Sequence, residues 1–234
     1  MSETDGDEEA MVRRLCSMEA PLHERLRSFS AFVREHALPF AEAYDDLAAR
    51  LSAAQAGSTA PGVGDVMPGF ALPDASMKFH TLDQMLERGP VVVSFNRGHW
   101  CPYCTVELNA LKQALTEIAA AGAQVVSIMP ETPKFVGKVA AGIDNAFLVL
   151  SDEGNGYSLS VNLVIWLGER IRRLDGDLEL AIEKSQGNNA WFVPIPATFV
   201  VGADGRIIAR FVDPDFRKRM DVEDVLAALR RARS

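Results

Sequence analysis

Two cysteines two residues apart, Cys101 and Cys104, constrain this chain more than any other feature. They follow the apolar run 91–95, which is typical of a strand buried on both faces of a sheet. From 107 to 121, leucine and isoleucine recur at three- and four-residue spacings, which predicts a helix. The order of strand, cysteine pair and helix places the pair at the start of that helix.

The start of a helix favours a cysteine thiolate. The first backbone N–H groups of a helix lack partners, and the helix dipole adds partial positive charge there. Both effects lower a thiol pKa below its ordinary value of about 8.5, and Arg97 adds a permanent cation nearby. Pro102 is tolerated in a first turn, and the spacing puts Cys104 one helical turn from Cys101. The pair is therefore predicted to form a reversible disulfide.

A zinc site is the alternative interpretation of two such cysteines. It needs a second closely spaced pair of cysteines or histidines. The remaining candidates show no such spacing: Cys16, His23, His36, His80 and His99. No metal and no organic cofactor is predicted.

Composition excludes several classes of function. The formal charge of −8 gives no basic surface for nucleic acid. No apolar run approaches the ~20 residues that cross a membrane. Three cysteines among 234 residues fit a reducing compartment. Because the acidic N-terminus lacks the layout of a secretory signal, a cytoplasmic location is predicted.

The chain divides into two parts by pattern. Residues 1–56 predict an arm of two or three antiparallel helices, and residues 57–64 a linker. Residues 65–234 predict an α/β fold with a mixed sheet and helices on both faces. The predicted strands are 70–72, 78–81, 91–95, 125–129, 147–150, 197–201 and 207–211, and further helices are 132–140 and 221–232, the last capped by Asp221.

Trp100 and the four residues after it resemble the active-site motifs of thioredoxin and glutaredoxin. The segment 193–200 is similar to the thioredoxin segment whose proline is cis and packs beside the cysteines; the matching residue is Pro196. The resemblance implies a thioredoxin-like fold and a cis bond before Pro196.

The remainder resembles peroxiredoxins of the AhpC/TSA family, over about residues 60–234. The matching segments are 65–72, 104–108, 148–152 and 198–207, and the subgroup that resembles it most carries Arg-Gly-x-Trp-Cys-Pro-Tyr-Cys. The resemblance implies a thiol-dependent peroxidase that reduces hydrogen peroxide or organic hydroperoxides and receives electrons from a thioredoxin- or glutathione-type reductant.

The chain departs from the peroxiredoxin pattern at three positions. Cys101 stands where a threonine is usual, Arg97 where a proline is usual, and the active-site arginine falls on Pro196. Arg97 is a candidate replacement for that guanidinium. Two assignments stay open. In the first, as in thioredoxin, Cys101 attacks as the more exposed cysteine at the helix start and Cys104 resolves; in the second, as in peroxiredoxins, the roles are reversed.

Other residues near the pair have a functional and a structural interpretation. His99 is a candidate base or a solvated neighbour, while Trp100 and Tyr103 shape the site surface. Glu107 hydrogen-bonds an arginine, as its peroxiredoxin counterpart does, or is a first-turn acid. Thr198 orients the thiolate or is a strand residue.

Further side-chain environments are also predicted. Cys16 packs in a helical stripe, Phe95 and Trp191 belong to the core, and the charges of 217–219 and 230–233 are solvated.

Three functions therefore remain: the peroxidase, a thioredoxin- or glutaredoxin-like reductase of protein disulfides, and a redox-sensing interaction protein without turnover. A homodimer formed through the arm is a further possibility.

Overall fold

Three helices precede the sheet in the computed structural model, which describes residues 3–174 and 176–232. They are α1 (Glu3–Ser17), α2 (Leu22–His36) and α3 (Leu38–Ala53), here called the helical arm. Their apolar residues recur every three or four positions and bury one face, as Leu26, Phe29 and Val33 do on α2. The prediction of helix in this part of the chain is confirmed.

A five-stranded mixed sheet forms the centre of the remaining chain, with strand order β5-β4-β3-β8-β9. Strands β3, β4 and β5 are parallel, and β8 pairs antiparallel with β3 and β9. Two small antiparallel pairs, β1–β2 and β6–β7, lie outside it. The strands are β1 (Ala71–Pro73), β2 (Phe79–Thr81), β3 (Val91–Phe95), β4 (Gln124–Met129), β5 (Leu148–Ser151), β6 (Val164–Trp166), β7 (Phe192–Pro194), β8 (Ala197–Val201) and β9 (Ile207–Val212).

Helices cover both faces of the sheet, so the predicted architecture is confirmed. Side chains of β3 alternate between the two layers: Val92 packs with Leu111 and Val225 on one face, and Val93 packs with Leu82 on the other. The remaining helices are α4 (Leu82–Leu86), α5 (Pro102–Gln113), α6 (Leu115–Ala120), α7 (Pro133–Gly142), α8 (Gly156–Ser160), α9 (Glu169–Arg172), α10 (Gly176–Gln186) and α11 (Val222–Ala232).

Two local features differ from the sequence prediction. The helix after the cysteines begins at Pro102, at the predicted junction, because proline fixes a helical φ in a first turn, but it does not run unbroken to residue 121. It ends at Gln113, and α6 continues after Ala114. The β6–β7 pair was not predicted, since strands of three residues are too short to show a two-residue period.

The helical arm packs against α5 and the loop between β9 and α11. One apolar cluster joins Leu26 and Phe29 of α2 to Tyr103 and Val106 of α5. Asp221, predicted to cap α11, accepts hydrogen bonds from the backbone N–H and ring Nδ1 of His23 at 2.9 and 2.6 Å. The arm therefore lies over the region where the cysteine pair begins its helix.

No helix among the described residues combines the length and the apolar character that crossing a membrane requires.

Candidate active site

The cysteine pair lies where the sequence predicts, between β3 and α5. Cys101 is the last extended residue before the helix, and Pro102 occupies its first turn. The chain reaches that point through Gly98, whose φ of +144° favours glycine. A side chain at Gly98 would collide with Trp100 Nε1 and Glu131 Oε1, so this tight turn sets the start of the helix.

Both cysteines are free thiols, and each is only 1% exposed. The prediction that Cys101 is the more exposed of the two is wrong. The sequence of the pair carries no signal for this, because the cover comes from the distant helical arm. Cys101 instead borders a cavity of about 340 Å³ between the arm and α5.

The two sulfurs differ in acidity. Burial by itself would raise the pKa of Cys101, but the hydrogen bond from Cys104 and the charges of Arg97 and Arg219 lower that pKa to about 6. Burial raises the pKa of Cys104 well above its ordinary value, and its contact with Cys101 raises it further. These surroundings therefore favour ionisation of Cys101 over ionisation of Cys104.

Two donors nevertheless lie close to the sulfur of Cys104. The backbone N–H of Arg97 is 3.4 Å from Cys104 Sγ, and Arg219 Nη2 is 3.7 Å from it. These donors stabilise negative charge on the Cys104 sulfur in any step that forms it, such as the step in which Cys104 leaves a disulfide.

A buried polar network holds Arg219 in place. Its Nε donates to Glu107 Oε2 at 2.7 Å, while Ser94 and Thr198 donate to Glu107 Oε1 at 3.1 and 3.5 Å. Burial raises the pKa of Glu107 to about 7, although the Arg219 charge opposes that rise. The prediction that Glu107 binds an arginine is confirmed, and Thr198 contacts this carboxylate.

Arg219 is the residue that sequence analysis missed. The run 217–219 was expected to be solvated, and only Lys218 is exposed as expected. Arg219 is 4% exposed, and Arg217 donates to Asp45 of α3 at 2.7 Å. The expectation is wrong for Arg219 because the loop after β9 turns it inward onto Glu107, a tertiary contact that a charge run does not reveal.

Arg97 is also buried, with 2% exposure, but its surroundings are aromatic. Its guanidinium carbon lies 3.9 Å from the ring centre of Phe216 and 4.8 Å from that of Trp100. Its Nε and Nη1 find no hydrogen-bond partner in the part of the chain that the structure describes. Arg97 thus brings positive charge close to Cys101.

His99 is held on the other side of the helix start. Its Nδ1 lies 2.6 Å from Glu131 Oε1, and its backbone N–H donates to Glu131 Oε2 at 3.0 Å. His99 and Cys104 both line a second cavity, of about 270 Å³. If His99 acts as a base, it therefore acts in this second cavity, next to Cys104, and not in the arm cavity.

The two aromatic residues of the motif have different environments. Trp100 lines the arm cavity and stacks on Arg97. Tyr103 was predicted to shape the site surface, but it is only 2% exposed and therefore lies beneath that surface. Burial raises the pKa of Tyr103 to about 12, and its hydroxyl lies 3.0 Å from Ser30 Oγ of α2.

The predicted cis bond before Pro196 is wrong: every described peptide bond is trans. Pro196 is buried and leads directly into β8. An extended residue before a proline is compatible with a trans bond, which is the more stable isomer by about 0.5–1 kcal/mol.

The other predicted positions are as expected. Phe95 and Trp191 are buried in the core, and Cys16 packs partly buried against the apolar cluster of the arm. Burial raises the pKa of Cys16, which makes it a poor nucleophile. Among the described residues, no three His, Cys, Asp or Glu side chains are grouped to bind a metal ion.

Solved structures share the fold. Peroxidoxin BcpB from Mycobacterium tuberculosis is 22% identical, with 74% of this chain and 99% of that one covered and a TM-score of 0.58. Peroxiredoxin Q from Xanthomonas campestris is 18% identical, with 69% and 90% covered and a TM-score of 0.51. These similarities show a thioredoxin-like fold of the peroxiredoxin type.

Sequence comparison gives the family. Chloroplastic peroxiredoxin Q from Populus jackii is 34% identical over 92 residues, which are 39% of this chain and 43% of that protein. This chain thus spans less than half the length of that curated relative. The model of the AhpC/TSA family matches residues 63–210, which include both cysteines, Glu107 and Thr198 but not the helical arm or Arg219. By this match, the chain belongs to the AhpC/TSA family.

Proposed function

We propose that the protein is a thiol-dependent peroxidase in which Cys101 attacks the peroxide and Cys104 resolves the product. Its family and its peroxiredoxin-like fold support a peroxidase. The assignment of roles rests on two features of Cys101, its position in the wall of the arm cavity and its lowered pKa. With a pKa lowered to about 6, chiefly by Cys104, Arg97 and Arg219 against the effect of burial, Cys101 is a thiolate at neutral pH.

The reaction proceeds in two steps. The Cys101 thiolate attacks one peroxide oxygen; an S–O bond forms, the O–O bond breaks, and the alcohol or water leaves after taking a proton. Cys104 then loses its proton and attacks the sulfur of the Cys101 sulfenic acid. The S–O bond breaks, water leaves, and the Cys101–Cys104 disulfide forms.

Arg219 and the backbone N–H of Arg97 act on the return step. When a reducing thiol attacks the disulfide at Cys101, Cys104 leaves as a thiolate. Both donors aim at that sulfur, at 3.7 and 3.4 Å, and lower the pKa of the leaving group when the charge develops. Glu107 is a positioning residue, since it reaches the pair through Arg219.

A thioredoxin-like reductase of protein disulfides is the second candidate. The acidic first cysteine of the pair favours it, because thioredoxin uses that position as its nucleophile. The burial of both cysteines opposes it: at 1% exposure, Cys101 offers no surface to a disulfide on a folded protein, whereas the cavity that it borders has room for a peroxide. The peroxidase is therefore preferred. The switch without turnover, the homodimer, the reductant and the cytoplasmic location stay predictions from the sequence.

Sulfenate trapping with dimedone on single-cysteine variants tests the roles. One equivalent of peroxide should give a dimedone adduct on Cys101 in Cys104→Ser, none in Cys101→Ser, and an internal disulfide in the wild type. An adduct on Cys104 in Cys101→Ser, with none in Cys104→Ser, would reverse the roles. Reduction of insulin without consumption of peroxide would establish the second candidate instead.

A further inference from the structure

Two residues that line the arm cavity carry buried hydrogen-bond donors that lack acceptors. Arg97 Nε and Nη1 and Trp100 Nε1 are buried without a partner in the described chain. An arginine cannot deprotonate to avoid this cost, and a buried charge without a hydrogen-bonded partner is unfavourable. The aromatic rings of Phe216 and Trp100 hold the guanidinium carbon at 3.9 and 4.8 Å, so the side chain is held in place rather than left loose.

Two buried carboxylates near the cysteine pair are bound to other donors. Glu107 accepts from Arg219 and Ser94, and Glu131 accepts from His99. The Cys101 thiolate gains from the positive charge of Arg97, but no hydrogen bond joins the guanidinium to its sulfur. An acceptor from outside the chain is thus the group that fits, and a carboxylate matches a guanidinium with two parallel bonds.

The size of the cavity limits the ligand. Its volume of about 340 Å³ is at the lower end of pockets for small organic molecules, which run from about 300 to 1,000 Å³. Phe29, Val33 and Phe40 of the arm form apolar walls, and Glu8 and Glu9 border the same cavity. The two acids disfavour a second negative charge, so a ligand with one net negative charge is expected.

We infer that the arm cavity binds a small thiol that carries a carboxylate, with the carboxylate on Arg97 and the sulfur against Cys101. This inference rests on the proposed function and names its reductant. The thiol attacks Cys101 of the Cys101–Cys104 disulfide; a new S–S bond to Cys101 forms, the bond to Cys104 breaks, and Cys104 leaves and takes up the proton of the attacking thiol. A second thiol molecule attacks the first one's sulfur, a small disulfide departs, and the Cys101 thiolate returns with both electrons supplied by the two thiols.

Three symmetric disulfides of similar size and different charge test the subsite without any peroxide. They are dithiodipropionate (carboxylate), hydroxyethyl disulfide (neutral) and cystamine (ammonium). The Cys101 thiolate attacks each disulfide, releases one half as a small thiol and keeps the other half in a mixed disulfide. The Cys104→Ser substitution removes the thiol that would resolve this mixed disulfide. Rates are measured by mass spectrometry of the intact protein.

In the Cys104→Ser background, the carboxylate probe should react about ten-fold faster than the neutral probe, as expected for a charge-assisted hydrogen bond. The cationic probe should be the slowest. Arg97→Met should bring the carboxylate and neutral rates to within about two-fold, and Arg97→Lys should retain part of the preference. The ratio between probes within one variant is independent of any change in the reactivity of Cys101.

A matched control removes a cation elsewhere. Arg170 lies on the surface in ion pairs with Glu42 and Asp46, so Arg170→Met should leave the ratios unchanged. Equal rates for the three probes, or a carboxylate preference that survives in Arg97→Met, would overturn the inference. Peroxide consumption with dithiothreitol is measured separately, so the peroxidase and the carboxylate subsite can fail independently.

Discussion

On the sheet side of the cysteine pair, the Arg219 guanidinium meets the Glu107 carboxylate at 2.7 Å, whereas on the arm side the Arg97 guanidinium meets aromatic rings. Both arginines are nearly fully buried, and both lower the pKa of Cys101. The paired cation belongs to a closed network, but the unpaired one leaves donors facing a cavity. Arg219 therefore maintains the fold, whereas Arg97 is available to a ligand.

The largest effect expected from this comparison concerns the two arginines themselves. Arg219→Met should lower the free energy of unfolding by about 3–5 kcal/mol, because it leaves the buried Glu107 carboxylate without its partner. Arg97→Met should cost less than about 1 kcal/mol, since it removes a buried charge that has no hydrogen-bond partner to abandon. Urea unfolding of the reduced variants gives both values. Equal losses would remove the distinction between the two sides.

The second effect concerns the cover on the arm side. Phe29 is 2% exposed, and its ring centre lies 4.9 Å from that of Tyr103. Phe29→Ala should lower the free energy of unfolding by about 3 kcal/mol and speed the reaction of Cys101 with bulky maleimides. Phe79→Ala is the matched control, because Phe79 is 59% exposed on β2 and should change neither quantity. An unchanged maleimide rate in Phe29→Ala would show that the arm does not limit access.

The smallest effect concerns one hydrogen bond between arm and site. Ser30 Oγ lies 3.0 Å from the buried Tyr103 hydroxyl, so Ser30→Ala should cost about 1 kcal/mol. Ser28 on the same helix donates to the backbone carbonyl of Glu24, and Ser28→Ala should cost a few tenths of a kcal/mol. Urea unfolding compares the two, and a larger loss for Ser28→Ala would contradict the assigned contact.

The sequence predicts the sheet side of the site better than the arm side. The apolar run 91–95 and the position of Pro102 are local signals, and both predict the strand-to-helix junction that holds the pair. The bond from Glu107 to an arginine follows from the family resemblance. These features depend on neighbours in sequence or on a shared motif.

The missed features depend on contacts between distant segments. Arg219 lies 115 residues from Cys104 in sequence, outside the family match, and its charged neighbours resemble an ordinary exposed run. The burial of Cys101 depends on the docking of the helical arm, for which the cysteine motif carries no signal. Pro196 is expected to be cis only by analogy with thioredoxin, and its peptide bond is trans.

The ionisation of Cys101 underlies the whole account, and alkylation by iodoacetamide at different pH values tests it most directly. Mass spectrometry of the peptides locates the label on each cysteine. The account predicts that Cys101 is labelled first, with a rate that falls as the pH drops through about 6, while Cys104 stays unlabelled until the medium is alkaline. Preferential labelling of Cys104, or a Cys101 rate that rises only above pH 8, would contradict it.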